Sequence, residues 1–508
     1  VLIKRPAANE PLGEILPADP RGHDALANAL RDFSSEYADL ENLRLKIKVF
    51  RIDRKEDSLR SHQTVEVFGE SETGLIEENL SWIADWEANA DGDDPKLKSL
   101  VVKDYERAER DGKVMFSDCT ESVMGASEGY QQQLLQGFNH WLEEAQFQEF
   151  YALPSNPGVA VGDVNNDGLE DLFICQEIGL PNLLFLQQPD GSVKDVSKES
   201  GLDLLQNCRT ALIVDWNNDG FNDIALAVTG GVVIASGDGS AKFHVETVID
   251  SSEDVMVLSA ADYDLDGRLD LFAGVYWADL ADWQNNEVPV AGFGGAINAT
   301  DGGQNGLFRN RVADGNWSFE DVTIETGMNE DNFRYSQAAA WEDFDNDGDP
   351  DLYIANDFGF NNFYRNDLQE DGSRKFTDIT WQSGVQDQAA GMSAAWGDYD
   401  RDGWMDLYVS NMYSYAGNRI TFQEEFKSEK DSDTKSSYQR FARGNTFFRN
   451  PGKPNDEGIF NFEDLSLQVG VNRARWAWGS RFIDLNNDGW EDFVVANGFI
   501  TTAGGGDL

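Results

Sequence analysis

Short apolar runs separated by polar turns recur through most of the chain beyond residue 158. Six segments share the pattern D-x-[DN]-x-D-G-x-x-D, and an apolar run typical of a β-strand follows each one directly. Their spacings of 52, 47, 81, 55 and 86 residues indicate a unit of roughly 50 residues, with roughly 30 residues inserted twice. The first aspartates of the six segments are Asp163, Asp215, Asp262, Asp343, Asp398 and Asp484.

Each unit predicts four short strands. An alanine-rich run such as "TALIVDW" precedes the polar turn, "DLFI" or "DLYV" follows it, and runs such as "NNFYRN" and "FTDITWQSGV" come later. Radial repetition of four-stranded sheets is how a β-propeller protects its strand edges. The expected fold class is therefore mainly β, a six-bladed β-propeller, with a seventh, degenerate blade as the alternative. Met115–Glu121 matches the fourth-strand pattern ahead of the first unit, so we expect it to complete the last blade.

The domain organisation follows from where this repeat begins. We expect the propeller over residues 113–508, with loop insertions at about 275–305 and 412–444 and a helical insertion at about 127–153. Residues 1–22 are punctuated by proline and glycine and predict an extended arm. Residues 23–112 predict a small α+β domain with a helix over Asp24–Leu40 and strands over Leu43–Ile52, Gln63–Ser71, Gly74–Ala88 and Lys96–Ala108.

The small α+β domain is distantly similar to cone-shaped, nuclear-transport-factor-like domains. That resemblance implies a concave face able to hold a ligand. A packing or dimerisation role for the domain is the simpler alternative.

The chain is strongly acidic, with 92 Asp and Glu against 40 Lys and Arg and a formal net charge of −52. Such a surface repels nucleic acid and anionic lipid and attracts cations. Three cysteines allow one disulfide but no disulfide framework, and four scattered histidines argue against a zinc site. No apolar run approaches the roughly 18 residues of a membrane span. The chain begins at Val1 without a recognisable signal segment, which leaves open a processed product whose signal peptide or lipoprotein anchor preceded it.

The repeated polar turn has the chemistry of a calcium loop. Oxygen-bearing side chains at positions 1, 3 and 5, glycine at position 6 and a backbone carbonyl at position 7 can surround a hard cation. An EF-hand would need glutamate at position 12, but here that position is apolar in all six loops and the closing carboxylate is at position 9. We therefore expect up to six Ca²⁺ ions, since Mg²⁺ demands a tighter octahedron.

The predicted ligands occupy positions 1, 3, 5, 7 and 9 of each loop. They are Asp163, Asn165, Asp167, Leu169 and Asp171; Asp215, Asn217, Asp219, Phe221 and Asp223; Asp262, Asp264, Asp266, Arg268 and Asp270; Asp343, Asp345, Asp347, Asp349 and Asp351; Asp398, Asp400, Asp402, Trp404 and Asp406; and Asp484, Asn486, Asp488, Trp490 and Asp492.

A single such turn would be compatible with a metal-free turn rich in asparagine and aspartate, because these residues favour turns. Six copies with a carboxylate at position 9 every time favour the metal. Three loops carry asparagine at position 3, and we expect these loops to bind calcium more weakly and to empty first during chelation.

The loop pattern resembles the FG-GAP (integrin α-type, VCBS) repeat family of calcium-binding propellers. The stretches "SNMYSYAGNRITFQ" and "RWAWGSRFIDLNNDGWEDFVVANGFIT" are similar to the group of bacterial and animal proteins related to cartilage acidic protein. The resemblance implies an extracellular, cell-surface or periplasmic module that is held by calcium and mediates interactions. It implies the loop positions as ligands and no catalytic residue.

Two functions remain open from the sequence. The first is a calcium-stabilised adhesion or binding scaffold that recognises a protein or a glycan at the cell surface. The second is a polysaccharide hydrolase or lyase with its site at the axial mouth of the propeller. No nucleophile elbow, P-loop, Rossmann glycine pattern or HExxH motif is present, which favours the scaffold.

The two loop insertions supply the candidate partner-binding residues, because loops on rigid scaffolds often carry function. The alternative is that their aromatic side chains pack over a blade. The sequence does not indicate an oligomeric state. The candidates are Tyr276, Trp277, Trp283, Tyr413, Tyr415, Arg419 and Phe422.

Overall fold

A computed structural model gives the fold of the chain, which separates into two compact units. The first comprises Val1–Asp118 and Ser414–Ala442, and the second comprises Cys119–Tyr413 and Arg443–Asp507. The structure describes residues 2–4, 22–35, 37–55, 58–71, 74–87, 95–112, 116–136, 140–141, 157–251, 254–277, 298–423, 426–430, 432–474 and 476–498.

The first unit is built on a five-stranded antiparallel sheet with the order β1-β5-β4-β3-β2. Its helix, His23–Ser35, lies over one face, where Phe33 and Tyr37 pack on Val65 and Trp82. The strands are β1 (Leu2–Lys4), β2 (Glu41–Lys55), β3 (Ser58–Glu70), β4 (Gly74–Glu87) and β5 (Lys96–Asp111).

This unit contains the predicted helix and the four predicted strands, with boundaries shifted by a few residues. Two features differ from the expectation. Leu2–Lys4, expected within an extended arm, pairs with β5. The second insertion, expected within the propeller, belongs to this unit, because its helix Tyr415–Thr421 lies against β2 and against the helix Ser432–Ala442.

The second unit consists of antiparallel sheets that follow one another along the chain. Its described residues form five four-stranded sheets and one two-stranded sheet. We number these sheets 1 to 6. Their strands are β6 (Val159–Gly162), β7 (Asp171–Ile174), β8 (Leu183–Gln187) and β9 (Val193–Asp195); β10 (Cys208–Val214), β11 (Asp223–Val228), β12 (Gly231–Gly237) and β13 (Phe243–Asp250); β14 (Asp254–Ala261), β15 (Asp270–Trp277), β16 (Gly306–Asn310) and β17 (Phe319–Asp321); β18 (Tyr335–Glu342), β19 (Asp351–Asp357), β20 (Asn362–Leu368) and β21 (Arg374–Asp378); β22 (Gly391–Gly397), β23 (Asp406–Asn411), β24 (Thr446–Arg449) and β25 (Glu463–Asp464); and β26 (Ala477–Ile483) and β27 (Asp492–Asn497).

The first strands of successive sheets lie side by side in chain order, from β6 to β26. Several second strands are deeply buried: β11, β19 and β23 are buried along their whole length, whereas β7 is buried at alternate positions and β27 is half-buried to exposed. Apolar clusters fill the space between neighbouring sheets, as between sheets 1 and 2 around Phe173 and Leu226. This mainly β architecture of consecutive four-stranded sheets is consistent with a β-propeller.

The expected closing strand at Met115–Glu121 is wrong for its described part. Residues 116–119 form no strand, and Thr120–Met124 form a helix. Short helices also follow the fourth strands of sheets 1, 4 and 5. At Met115–Glu121 the same sequence motif therefore specifies the helical turn more strongly than the strand. These helices are Ser197–Ser200, Thr380–Ser383 and Ser466–Val469.

Part of the predicted helical insertion lies on sheet 1. Its described part contains a π-helix, Tyr130–Leu134, and Tyr130 packs on Leu183 and Phe185 together with Met124. Among the helices that the structure describes, none has the length and apolar character needed to cross a membrane.

Candidate metal centres

Each sheet of the second unit connects its first and second strands through one of the repeated polar turns. We call these turns loops 1 to 6: Asp163–Asp171, Asp215–Asp223, Asp262–Asp270, Asp343–Asp351, Asp398–Asp406 and Asp484–Asp492. In every sheet the position-9 aspartate begins the second strand and pairs with the residue just before position 1, as Asp171 pairs with Gly162. The six turns therefore occupy the same place in their sheets.

The six loops share one backbone course. Position 6 is glycine with φ between 82° and 98°, a left-handed conformation in which a Cβ is disfavoured. Position 4 is also left-handed in every loop, with φ between 56° and 63°. Leu265 and Arg401 adopt this conformation although such side chains rarely do so. The hydrogen bonds made by the neighbouring carboxylates compensate for that strain.

The position-1 aspartate accepts hydrogen bonds from the backbone of its own loop. In loop 1, the N–H groups of Asp167 and Gly168 donate to the two carboxylate oxygens of Asp163, at 3.1 and 2.8 Å. The other five loops repeat both hydrogen bonds. The position-5 aspartate accepts from the N–H of position 7 in all six loops, as Asp167 does from Leu169. The carboxylates thus face the backbone of the loop they belong to.

The position-9 aspartate connects the turn to the rest of the sheet. In sheets 1 to 5 its Oδ1 accepts an N–H from the third strand at 2.8–2.9 Å. In loops 1, 2, 3 and 6 its Oδ2 accepts the N–H of position 2 at 2.9–3.3 Å. In loop 4, Asp351 is 1% exposed and its Oδ2 has no hydrogen-bond partner.

Position 3 separates the loops into two kinds. In loops 1 and 2, where it is asparagine, the side chain makes both of its hydrogen bonds within the loop: Asn165 donates to Asp167 Oδ2 at 2.9 Å and accepts from the Asp167 N–H at 3.1 Å. Asn217 forms the same pair of hydrogen bonds with Asp219. Where it is aspartate, in loops 3, 4 and 5, its Oδ1 is buried and meets no donor at hydrogen-bond geometry. An unpaired buried acceptor is unfavourable, so these loops offer oxygens that still need a partner.

The same three loops bring their carboxylates close enough to share an ion. One oxygen from each member of three aspartate groups lies within 4.8 Å of the others. Two oxygens that bind one Ca²⁺ at about 2.4 Å are at most about 4.8 Å apart, so the donor sets fit this cation. The groups are Asp262, Asp264 and Asp270; Asp343, Asp345 and Asp347; and Asp398, Asp400 and Asp406.

Burial changes the acidity of the loop carboxylates. Loss of solvation raises the pKa of Asp351 to about 9, and the charges of nearby Asp345 and Asp349 act in the same direction. Loss of solvation likewise raises the pKa of Asp270 and of Asp406 to about 7. A cation-free loop therefore holds part of its carboxylates protonated at neutral pH. A divalent cation would favour their ionised form.

An arginine on the third strand accompanies each aspartate at position 3. Arg309 Nε lies 2.9 Å from Asp264 Oδ2, and Arg449 Nη2 lies 2.7 Å from Asp400 Oδ2. Arg365 occupies the corresponding place in sheet 4. Its charge interacts with that of Asp345. Sheets 1 and 2 have Leu186 and Ser236 at this place, beside loops with asparagine at position 3. The extra negative charge of the aspartate is therefore offset by one positive charge.

Comparison with known protein families finds the FG-GAP-like repeat at residues 163–226, 215–273 and 343–409. These segments contain loops 1 to 5. The chain carries FG-GAP-like repeats. Loop 6 has the same backbone conformation and the same two hydrogen bonds at position 1 as the five matched loops but lies outside the matched segments.

Two curated relatives are similar to part of the chain. Cartilage acidic protein 1 from Xenopus tropicalis and from Mus musculus are each 30% identical to the chain over 122 residues. The matched region is 23% of this chain and 19% of each relative, so the chain spans about a fifth of the length of the relatives it matches.

Two solved structures resemble the chain loosely. One is an Agrocybe aegerita lectin that recognises non-reducing terminal N-acetylglucosamine, at a TM-score of 0.38 and 13% identity over 69% of this chain and 76% of the lectin. The other is the periplasmic gluconolactonase of Pseudomonas aeruginosa, at a TM-score of 0.34 and 10% identity over 83% of this chain and 95% of that protein.

Asparagines connect neighbouring FG-GAP-like repeats. In sheets 3, 4 and 5, an asparagine directly follows the arginine described above, and the two form an Arg-Asn pair in the sequence. This asparagine donates its N–H to the position-9 aspartate of its own loop. Its side-chain amide donates across to the position-2 carbonyl of the preceding loop at 2.8–2.9 Å. The three bridges are Asn310 to Trp216, Asn366 to Tyr263 and Asn450 to Phe344.

A second set of asparagines, not among the predicted site residues, lies at the ends of the sheets opposite the loops. Each directly precedes the third strand and accepts the N–H of a residue near or just beyond the end of the second strand, at 2.7–2.9 Å. Their shared position in runs such as "NNFYRN" was the signal available. They are Asn182, Asn305, Asn361 and Asn445, all at most 3% exposed.

The candidate partner-binding residues differ in their exposure to solvent. Tyr276 is 2% exposed and donates to Asp357 of sheet 4 at 2.9 Å, so its ring packs between sheets 3 and 4 and is not presented to a partner. Tyr413 is also buried, whereas Phe422 is 40% exposed. Trp283 and the side chains of Trp277, Tyr415 and Arg419 lie outside the described residues.

Proposed function

We propose that the chain is a calcium-stabilised scaffold whose FG-GAP-like loops each hold one cation. The observation that carries this proposal is Asp351, a buried carboxylate with an unpartnered Oδ2 in the loop that also clusters Asp343, Asp345 and Asp347. A buried carboxylate oxygen without a donor needs either a proton or a cation. The surplus of acidic residues makes a cation the better-suited partner.

The residues that would hold the ion are those at positions 1, 3, 5 and 9, with the backbone carbonyl of position 7. Calcium suits this all-oxygen set because it accepts 6–8 oxygen ligands in flexible geometry. The bound ion would supply positive charge where several carboxylates converge. We propose occupancy of up to six loops, with the loops of sheets 3 to 5 binding most tightly.

We further propose that the second unit is a six-bladed propeller and that the protein works outside the cytoplasm, at a cell surface or in the periplasm. Its role would be to bind a protein or a glycan through loops on the propeller. The FG-GAP-like repeats and the acidic, cation-attracting surface support this role. Phe422, exposed on the second insertion, is a further candidate for contact with such a partner, although this insertion belongs to the first unit.

Thermal unfolding of the full chain tests the cation proposal. After chelation, added Ca²⁺ should raise Tm, since saturation at a hundredfold excess over Kd stabilises by about 2.7 kcal/mol per site. The variant Asp345→Asn should show a smaller rise. Asp371→Asn is the matched control, because Asp371 lies in an exposed turn outside the loops. An unchanged Tm of the wild-type chain on calcium addition would contradict the proposal.

A further inference from the structure

Two buried cysteines face each other across the boundary between sheets 1 and 2. Cys175 directly follows β7, and Cys208 begins β10. Their Sγ atoms are 3.0 Å apart, and both residues are 0% exposed. Of the three pairings that three cysteines allow, the structure thus brings one together. Cys119, the remaining cysteine, is exposed.

The backbones around the two cysteines are held in register. The N–H of Cys208 donates to the carbonyl of Gln176 at 3.0 Å, and the N–H of Cys175 donates to the carbonyl of Gly158 at 2.9 Å. Gly158 in turn donates to the carbonyl of Arg209 at 2.9 Å. The two sulfurs therefore meet because adjacent strands place them together, and they need to approach by only about 1 Å to reach the disulfide bond length of about 2.05 Å.

The surroundings favour a covalent bond over metal binding. Both cysteines belong to an apolar cluster with Phe173, Ile224 and Leu226. The clusters of potential metal ligands found within the described part of the chain include neither cysteine. The hydrogen bond with Cys175 and burial raise the pKa of the Cys208 thiol, so the closed fold keeps it protonated and unreactive.

We propose that Cys175 and Cys208 form a disulfide that joins sheet 1 to sheet 2. The oxidant is a disulfide-bearing small molecule such as oxidised glutathione. One cysteine thiolate attacks it, forming a mixed disulfide and releasing one glutathione thiolate; the second cysteine thiolate then attacks the mixed disulfide and releases the other. Two thiols lose two electrons and two protons, and one glutathione disulfide becomes two glutathione molecules.

The timing of this exchange follows from burial. Because both thiols are closed off in the packed fold, the reaction takes place before the two sheets have packed or during local opening. The bond would close a loop between residues 33 apart in sequence and restrict the unfolded chain. The disulfide would form independently of cation binding, so a test of the disulfide does not depend on the proposed calcium function.

Thiol counting on the full-length protein tests the proposal. The chain is refolded with a mixture of reduced and oxidised glutathione, alkylated under denaturing conditions, and digested without reduction. We expect one free thiol per chain, at Cys119, and a cross-linked peptide pair containing Cys175 and Cys208 that separates on reduction.

Two variants sharpen the result. Cys119→Ser should leave no free thiol, and Cys208→Ser should leave Cys175 free and remove the Tm difference between oxidised and reduced protein. Three free thiols in the refolded wild-type chain, or a cross-link that involves Cys119 instead, would overturn the proposal. The count of free thiols in the wild-type chain tests the proposal even if a variant fails to fold.

Discussion

Arg309 on the third strand of sheet 3 lies 2.9 Å from Asp264, the position-3 residue of loop 3, and its guanidinium also stands 5.6 Å from the ring centre of Tyr263. The pair is mostly buried, with 18% of each side chain exposed. Loops with aspartate at position 3 thus have an arginine on the third strand that loops 1 and 2, with asparagine at position 3, do not have. The net charge of the loop region stays the same, while the unpartnered carboxylate oxygen is retained.

Removing Arg309 should separate its effect on calcium affinity from its effect on the stability of the cation-free protein. In Arg309→Gln, we expect loop 3 to bind Ca²⁺ more tightly, by roughly three- to tenfold, because about one positive charge near the ion is lost at intermediate dielectric. The cation-free protein should be less stable, since the buried Asp264 loses its ion-pair partner. Calcium titration of Tm measures both effects.

The matched control is Arg311→Gln. Arg311 is 44% exposed and pairs with Glu320 at 2.8 Å away from the loops. Its loss should leave the calcium midpoint unchanged, as exposed ion pairs contribute little. Equal midpoints for both variants would show that Arg309 does not act on the ion.

Adding a carboxylate to an asparagine loop should strengthen that loop. In Asn217→Asp, position 3 of loop 2 gains a charge, and Ser236 on the third strand offers no arginine to offset it. We expect a lower calcium concentration for half-maximal protection against unfolding and later loss of this site during chelation. Asn316→Asp, in an exposed turn, adds the same charge outside the loops and should shift neither quantity.

Truncating an inter-sheet asparagine should destabilise the fold. Asn366 is fully buried and donates to the Tyr263 carbonyl at 2.8 Å. In Asn366→Ala that carbonyl of loop 3 loses its donor, and we expect a loss of about 1–3 kcal/mol in the free energy of unfolding. Asn316→Ala, whose amide is exposed, should lose under about 0.5 kcal/mol in denaturant unfolding at fixed calcium. Equal losses would contradict a bridging role.

Asp357 should make stability depend on pH. It is 5% exposed, and loss of solvation raises its pKa to about 7, while the hydrogen bond from Tyr276 acts in the opposite direction. Because the folded-state pKa exceeds the unfolded value, the folded protein takes up the proton. The stability this contributes is complete below about pH 4 and is lost as pH rises through about 7.

The variant Asp357→Asn isolates that contribution. The stability of the wild-type chain relative to the variant should fall by on the order of 4 kcal/mol between pH 4 and pH 8. Urea unfolding at a series of pH values, at constant calcium, measures the difference. A wild-type advantage that grows with pH would contradict the assigned environment of Asp357.

The loops were predictable from sequence because their geometry is local. Glycine at position 6 and aspartate at positions 1 and 9 specify the turn and its hydrogen bonds within nine residues. The structure accordingly begins the second strand at position 9 in all six sheets, as at Asp171 and Asp492. The helix and strands of the first unit were predictable for the same reason, since their apolar periodicity is local.

Features that depend on contacts distant in sequence were not predictable. The pairing of Arg309 with Asp264 depends on strand register, although the recurring Arg-Asn pair was visible in the sequence. Tyr276 was a surface candidate because it borders an insertion, but it lies within β15 and finds Asp357 on a neighbouring sheet. The placement of Ser414–Ala442 in the first unit follows from packing against β2, which no local pattern indicates.

The most direct test of the calcium account is an anomalous difference map from crystals of the full chain grown with Ca²⁺. We predict peaks inside the loops, strongest in loop 4 among the carboxylates of Asp343, Asp345 and Asp351, and weaker or absent in the asparagine loops 1, 2 and 6. Crystals soaked with chelator should lose these peaks. A map at saturating calcium with no peak in any of the six loops would contradict the central claim.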